Sequence, residues 1–243
     1  MPNAVDLNSD VGEGFGAWAG GPDRELMSII TSANIACGFH AGDPTIIRRT
    51  CEMAVENGVA IGAHVSYPDL AGFGRRFIDM KPDELADAVV YQLGALAGCA
   101  RAAGSAITYV KPHGALYNTI VRNEPQAHAV ATAIHAFDPT LPLLGLPGTD
   151  SAIEHAAAAL GLSFCFEGFA DRGYTDQGTL IPRGQAGALL TDGDAAAAQA
   201  LNLAERGITS ICVHSDTPGA AELATAVAAG LRRSGYELRP FTR

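Results

Sequence analysis

Short apolar runs alternate with longer stretches of helical periodicity along the whole chain. The runs Ala4–Leu7, Ala33–Cys37, Val59–Ala63, Ile107–Val110, Leu141–Leu146, Ser163–Phe166 and Ser210–Val213 have the length and side chains of buried strands. Between them, Pro44–Asn57, Pro82–Ala103, Pro125–Phe137, Thr149–Leu160 and Thr217–Ser234 carry Ala and Leu at helical spacing. "DAAAAQALNLAE" reads as a further Ala-rich helix. Pro44, Pro82, Pro125 and Pro218 stand in the first turns, where a missing N–H leaves no bond unmade. Strand, helix and strand in succession predict parallel pairing with crossover helices. Seven such units suit either a closed (β/α) barrel or an open doubly wound sheet, and periodicity leaves both standing. No Gly-, Ser- or Pro-rich linker divides the sequence and no repeat is visible, so residues 1–243 read as one domain.

Composition narrows the class. Hydrophobic residues make up 48% and charged ones 17%, enough apolar surface for a sizeable core. A formal net charge of −10 would repel a polyanion, which argues against nucleic acid as a partner. The five cysteines form no CxxC pair, and several lie in apolar runs, as reduced buried thiols do. "MPNAVDLNSDVGEG" carries no basic segment followed by an apolar one, and no stretch approaches the ~18 uncharged apolar residues of a membrane span. A soluble cytoplasmic protein without a membrane partner is expected.

The chemistry collects at the C-terminal ends of the predicted strands. There lie Asp6, Asn8, Asp10 and Glu13; Asn34, His40 and Asp43; His64, Asp69, Arg75 and Arg76; Lys111, His113, Tyr117 and Asn118; Glu167, Asp171, Arg172 and Tyr174; and His214, Asp216 and Thr217. Parallel α/β architectures build active sites at that edge. Single residues have plainer readings. Asp43 before Pro44 suits a helix N-cap, and Asp216 suits either a cap or the site. His128, His135 and His155 fall inside helices among alanines and read as silent. Lys111, one of two lysines, ends a buried strand, where an unpaired ammonium is costly, so a functional charge is expected. Arg75 and Arg76 follow a Gly-rich turn and could clamp an anion.

His40, His64, His113 and His214 each end a different strand. With Asp6 or Asp10 they could hold a divalent ion, or they could work as acid–base groups without one. Asp10, His40 and His64 end neighbouring predicted strands and form the expected metal set. No HxxxH, HExxH or CxxC marks a local metal signature. The sequence also lacks GxxxxGK[ST], a GxGxxG leaving the first strand, and GxSxG, so the usual nucleotide loops and nucleophile elbow are absent.

The stretches "DLNSDVGEG" (Asp6–Gly14), "SANIACGFHAGDP" (Ser32–Pro44), "GVAIGAHVSYPDLAGFGRR" (Gly58–Arg76), "VKPHGALYN" (Val110–Asn118), "EGFADRGY" (Glu167–Tyr174) and "ICVHSDTP" (Ile211–Pro218) resemble the LamB/YcsF family. That family includes the A subunits of bacterial 5-oxoprolinase. Val65 stands where the family commonly has proline, and Ser215 where it has glycine.

The resemblance implies a distorted seven-stranded parallel (β/α) barrel of the glycoside hydrolase/deacetylase kind. It also implies ATP-dependent opening of 5-oxo-L-proline to L-glutamate, with B and C subunits as partners. On that reading Asp10, His40, His64, Lys111 and His113 supply base, acid and cation. Asn8, Arg75, Glu167, Asp171, Arg172 and His214 bind substrate, ATP sits mainly on the partners, and a divalent metal is an open question. Two other functions fit the residues: a non-catalytic 5-oxoproline-binding or regulatory subunit, and a stand-alone metal-dependent deacetylase of small amides.

Overall fold

A computed structural model describes residues 3–148, 150–175 and 177–242. Seven parallel strands close on themselves: β1 (Ala4–Val11), β2 (Ser32–Ala36), β3 (Ala60–Val65), β4 (Ile107–Pro112), β5 (Leu143–Gly145), β6 (Phe164–Phe169) and β7 (Ser210–Cys212), which returns to β1. The barrel is therefore closed, which decides the choice that periodicity left open. A two-residue strand, β8 (Glu237–Leu238), adds to β1 beside Ala4 and Val5 and carries no signal in the sequence pattern.

Six of the helices lie where the apolar spacing predicted them, and two short ones, Asp23–Met27 and Gly114–Thr119, carry no such signal. In chain order the helices are α1 (Asp23–Met27), α2 (Pro44–Asn57), α3 (Pro82–Ala102), α4 (Gly114–Thr119), α5 (Glu124–Phe137), α6 (Ala152–Ala159), α7 (Gly193–Glu205) and α8 (Ala220–Arg233). Thr149, the expected start of the sixth, lies outside the described residues, as do Met1 and Pro2. Helix α2 shows why such segments form. Asp43 accepts from the amides of Thr45 and Ile46 at 2.8 and 3.0 Å, Pro44 opens the first turn, and Gly58 ends the helix at φ 67°. Such a cap stabilises by about 1 kcal/mol. Ile47, Cys51 and Ala54 then face the barrel and join a continuous apolar layer with Leu7, Val11 and Ile35.

The two faces of β1 differ in kind. Val5, Leu7 and Val11 point outward into that apolar layer, while Asp6, Asn8 and Asp10 point into the barrel. The lumen is consequently polar rather than the stack of branched aliphatics usual in such barrels. At its base Asp6 accepts from Ser32, Thr31 and Ser210, and burial pushes its carboxyl up to about 6 despite those bonds. Above it, Asn34 donates to Asn8 at 2.7 Å and to Asp10 at 2.8 Å, and accepts from the Tyr109 hydroxyl at 2.6 Å. Gly62 makes room for that tyrosine, since a Cβ there would collide with the Tyr109 ring. The expected strand-end residue Asp6 is thus a lumen residue, because β1 runs four residues beyond the apolar run that predicted it.

All five cysteines are free, with Cys37, Cys51 and Cys212 buried. His128, His135 and His155 lie exposed on α5 and α6. No helix among the described residues is long and apolar enough to cross a membrane.

Candidate active site

A cavity of about 350 Å³ opens at the C-terminal mouth of the barrel. Asp10, His64, Arg75, Lys111, His113, Arg172 and His214 all line it. Asn8, His40, Glu167 and Asp171 stand one layer behind, each bonded to or stacked on a neighbour of the cavity.

On one wall, the ammonium of Lys111 sits 2.8 Å from Asp10 Oδ1 and 2.8 Å from Glu167 Oε1, and is buried with both. The Asp10 contact is a hydrogen bond; the Glu167 contact is close enough for an ion pair but lacks hydrogen-bond alignment. Glu167 accepts from Tyr117 at 2.7 Å with its other oxygen. Burial opposes every charge here, yet the pairing outweighs it. The Asp10 carboxyl is held well below its usual range by His64 and Lys111, and Lys111 well above its own by Asp10 and Glu167. The buried lysine expected to be costly is matched by two carboxylates.

Next to this cluster, Glu13 meets three imidazoles. His40 Nε2 lies 2.9 Å from Glu13 Oε1, His113 Nδ1 3.6 Å and His64 Nε2 3.9 Å. His64 Nδ1 faces the Lys111 carbonyl at 3.0 Å, and His113 Nε2 faces the Phe73 carbonyl at 2.8 Å. The remaining two nitrogens, His64 Nε2 and His113 Nδ1, face each other at 3.0 Å. The rings of His40 and His113 stack 3.8 Å apart.

The turn Phe73–Gly74 presses on both histidines. Phe73 adopts φ 54°, rare for a side chain of its size, and Gly74 φ 64°. A Cβ on Gly74 would lie 2.7 Å from His113 Cδ2 and 2.8 Å from His40 Cβ. Burial and His64 lower His40 well below its ordinary value. Burial with His40 and His64 does the same to His113, and burial raises Glu13 despite His113.

A third element is an Asp–His pair. Asp171 accepts from His214 Nδ1 at 3.0 Å, from its backbone amide at 3.2 Å and from the Thr217 hydroxyl. The arrangement fixes the imidazole tautomer as a base-orienting carboxylate does. At the rim, Asp216 binds Arg75 at 2.6 Å and Arg183 at 3.2 Å. It therefore caps no helix; α8 begins after Gly219 without a side-chain cap. Arg172 lines the cavity, but its guanidinium donates to the carbonyls of Ala188 and Ile181 and so holds the segment after β6.

The expected trio Asp10, His40 and His64 does not converge as a set. Asp10 Oδ2 reaches His64 Nε2 at 3.4 Å, but Oδ1 is engaged by Lys111 and Asn34. The donors that do converge are Glu13, His40, His64 and His113. Glu13 is one of the strand-end acids in the sequence, with nothing in its spacing to single it out. Arg183 follows no strand and had no such signal.

The LamB/YcsF family model matches residues 5–243. The A subunit of 5-oxoprolinase from Streptomyces avermitilis is 52% identical, over 98% of this chain and 99% of its own. Its counterpart of the same name from Kocuria rhizophila is 54% identical, over 98% of each. A crystal structure of a lactam utilization protein from Thermus thermophilus superposes with a TM-score of 0.92 at 42% identity, covering 98% of this chain and 100% of that one. The polysaccharide deacetylase Bc1974 from Bacillus cereus, 13% identical with a TM-score of 0.55 over 99% of this chain and 93% of its own, shares the fold alone.

Proposed function

The chain belongs to the LamB/YcsF family, and on that footing we propose that it opens the lactam ring of 5-oxo-L-proline to give L-glutamate, as the hydrolytic subunit of an ATP-dependent 5-oxoprolinase. The B and C subunits bind and use the nucleotide, and the reaction runs in the cytoplasm. The names of its relatives and of the Thermus thermophilus structure support the substrate. The sequence carries no phosphate-cradling glycine loop, which favours leaving ATP to partners.

The observation that carries the reading is one cavity of about 350 Å³ lined by a fixed ammonium, an oriented imidazole and an arginine at the rim. Each meets a part of the substrate. Arg75, with Arg183 beside it, receives the ring carboxylate. Lys111 meets the negative charge that grows on the lactam carbonyl oxygen. His214, oriented by Asp171, takes a proton from the attacking water. Phosphorylation of the lactam oxygen by the partners makes the ring carbon open to attack. Water adds to that carbon and the ring C–N bond breaks as the nitrogen takes a proton, which leaves an acyl phosphate; a second water then displaces inorganic phosphate and frees the carboxylate of glutamate.

The test is reconstitution. Purified chain, partner subunits, ATP and 5-oxoproline are combined and glutamate is measured. Glutamate forms only with all components present, and Asp171→Asn lowers kcat by about 100-fold with the melting temperature little changed. Full-rate release by the partners alone, or ring opening by the isolated chain without ATP, contradicts the proposal.

A further inference from the structure

We propose that Glu13, His40, His64 and His113 form a binding site for one divalent transition-metal ion of the zinc class, adjoining the Lys111 cluster through His64. Their donor atoms all lie within 4.8 Å of one another, and the separations from Glu13 Oε1 and between His64 and His113 run from 2.9 to 3.9 Å. Four ligands at ~2.0–2.1 Å around a tetrahedral ion stand ~3.3–3.4 Å apart, in the middle of that range.

Proton placement points the same way. A carbonyl oxygen only accepts, so the Lys111 carbonyl requires a proton on His64 Nδ1 and the Phe73 carbonyl one on His113 Nε2. Two neutral rings then aim lone pairs at each other across 3.0 Å. Only a cation between them relieves that contact: a metal ion or a shared proton. The two carbonyls hold the rings by their outer N–H groups, as carbonyls and carboxylates hold metal-ligating histidines generally.

Three imidazoles and a carboxylate select zinc, cobalt, manganese or iron over magnesium or calcium. His64 and His113 open to the main cavity, and Glu13 lines a second opening beside Arg75 and Asp216, so an ion can reach the site. The other candidate group, Asp10, Cys212 and His214, already holds a cation, because Lys111 Nζ lies 2.8 Å from Asp10 and 3.5 Å from the Cys212 sulfur. A bound ion would place Lewis acidity at the cavity wall. The inference stands apart from the lactam reading.

The test uses full-length protein without a polyhistidine tag, stripped by a chelator. It is titrated with zinc by calorimetry and with cobalt by visible absorption. One ion per chain is expected, with the intense cobalt bands of a site below six-coordinate. Affinity falls about 100-fold or more in Glu13→Gln and His113→Gln that remain folded by circular dichroism. X-ray absorption on zinc-loaded wild type needs no variant and should show three imidazoles. No uptake at micromolar metal, uptake unchanged in both variants, or a shell with fewer than two imidazoles overturns the site. Stripped protein that takes up no metal yet supports ring opening overturns the metal alone and leaves the lactam reading standing.

Discussion

Asp10 and Glu167 beside Lys111, and Glu13 among the histidines next to them, are all buried carboxylates, but only the first two face a cation that the chain itself supplies. Lys111 reaches both at 2.8 Å, and Tyr117 and Asn34 add hydrogen bonds to them. Glu13 faces three imidazoles, two of them held by backbone carbonyls in the tautomer that offers a lone pair. One wall carries a built-in ammonium between its carboxylates; the other brings a carboxylate and three imidazoles together with no cation of its own. A buried cluster can therefore be structural or receptive depending on whether its counter-charge is covalently attached, and hydrogen-bond donors and acceptors reveal which.

The sharpest way to break the contrast is to remove the built-in cation. Lys111→Met leaves Asp10 and Glu167 buried without compensation, and destabilises the chain by about 3–5 kcal/mol. Urea unfolding checks this, and adding Glu167→Gln to the variant should return part of the loss. Unchanged stability in the single variant would show that the wall does not depend on its lysine.

A smaller effect lies beneath both walls, at Asp6. Its carboxyl is raised from 3.8 to about 6, so the folded chain holds this proton more tightly than the unfolded one. The resulting stability is fully present below about pH 4 and is lost as pH rises through 6. Asp6→Asn removes the dependence. Wild type minus variant stability should therefore fall by about 2 kcal/mol between pH 4 and pH 7. A flat difference would mean that the hydroxyls around Asp6 fully offset its burial.

Much of this was legible in the sequence, for physical reasons. Strand and helix alternation follows from period, and α2 was readable to the residue because Asp43, Pro44 and Gly58 punctuate it. Lys111, His64, His113 and His214 announced themselves by following apolar runs, and seven of the expected residues do line one cavity. The failures share a cause. Spacing along a strand says which face a residue takes, but not which residue of another strand it meets. Asp10 was grouped with His40 and His64 because their strands are neighbours, yet Lys111 claims it from across the barrel at a sequence separation of 101. Glu13 lies just beyond β1, where no periodicity assigns a direction. Asp216 looked like a helix cap because Thr217 and Pro218 follow it, and only the folded chain brings Arg75 and Arg183 to it.

The contrast between the walls rests most directly on where the protons sit on two rings. Nitrogen-15 NMR of histidine-labelled protein, recorded before and after one equivalent of zinc, reads them without any mutation. The expected result with zinc bound is a proton on His64 Nδ1 and on His113 Nε2, with both facing nitrogens unprotonated and shifted by the ion. A proton on either facing nitrogen in the presence of zinc, or spectra indifferent to it, would contradict the account.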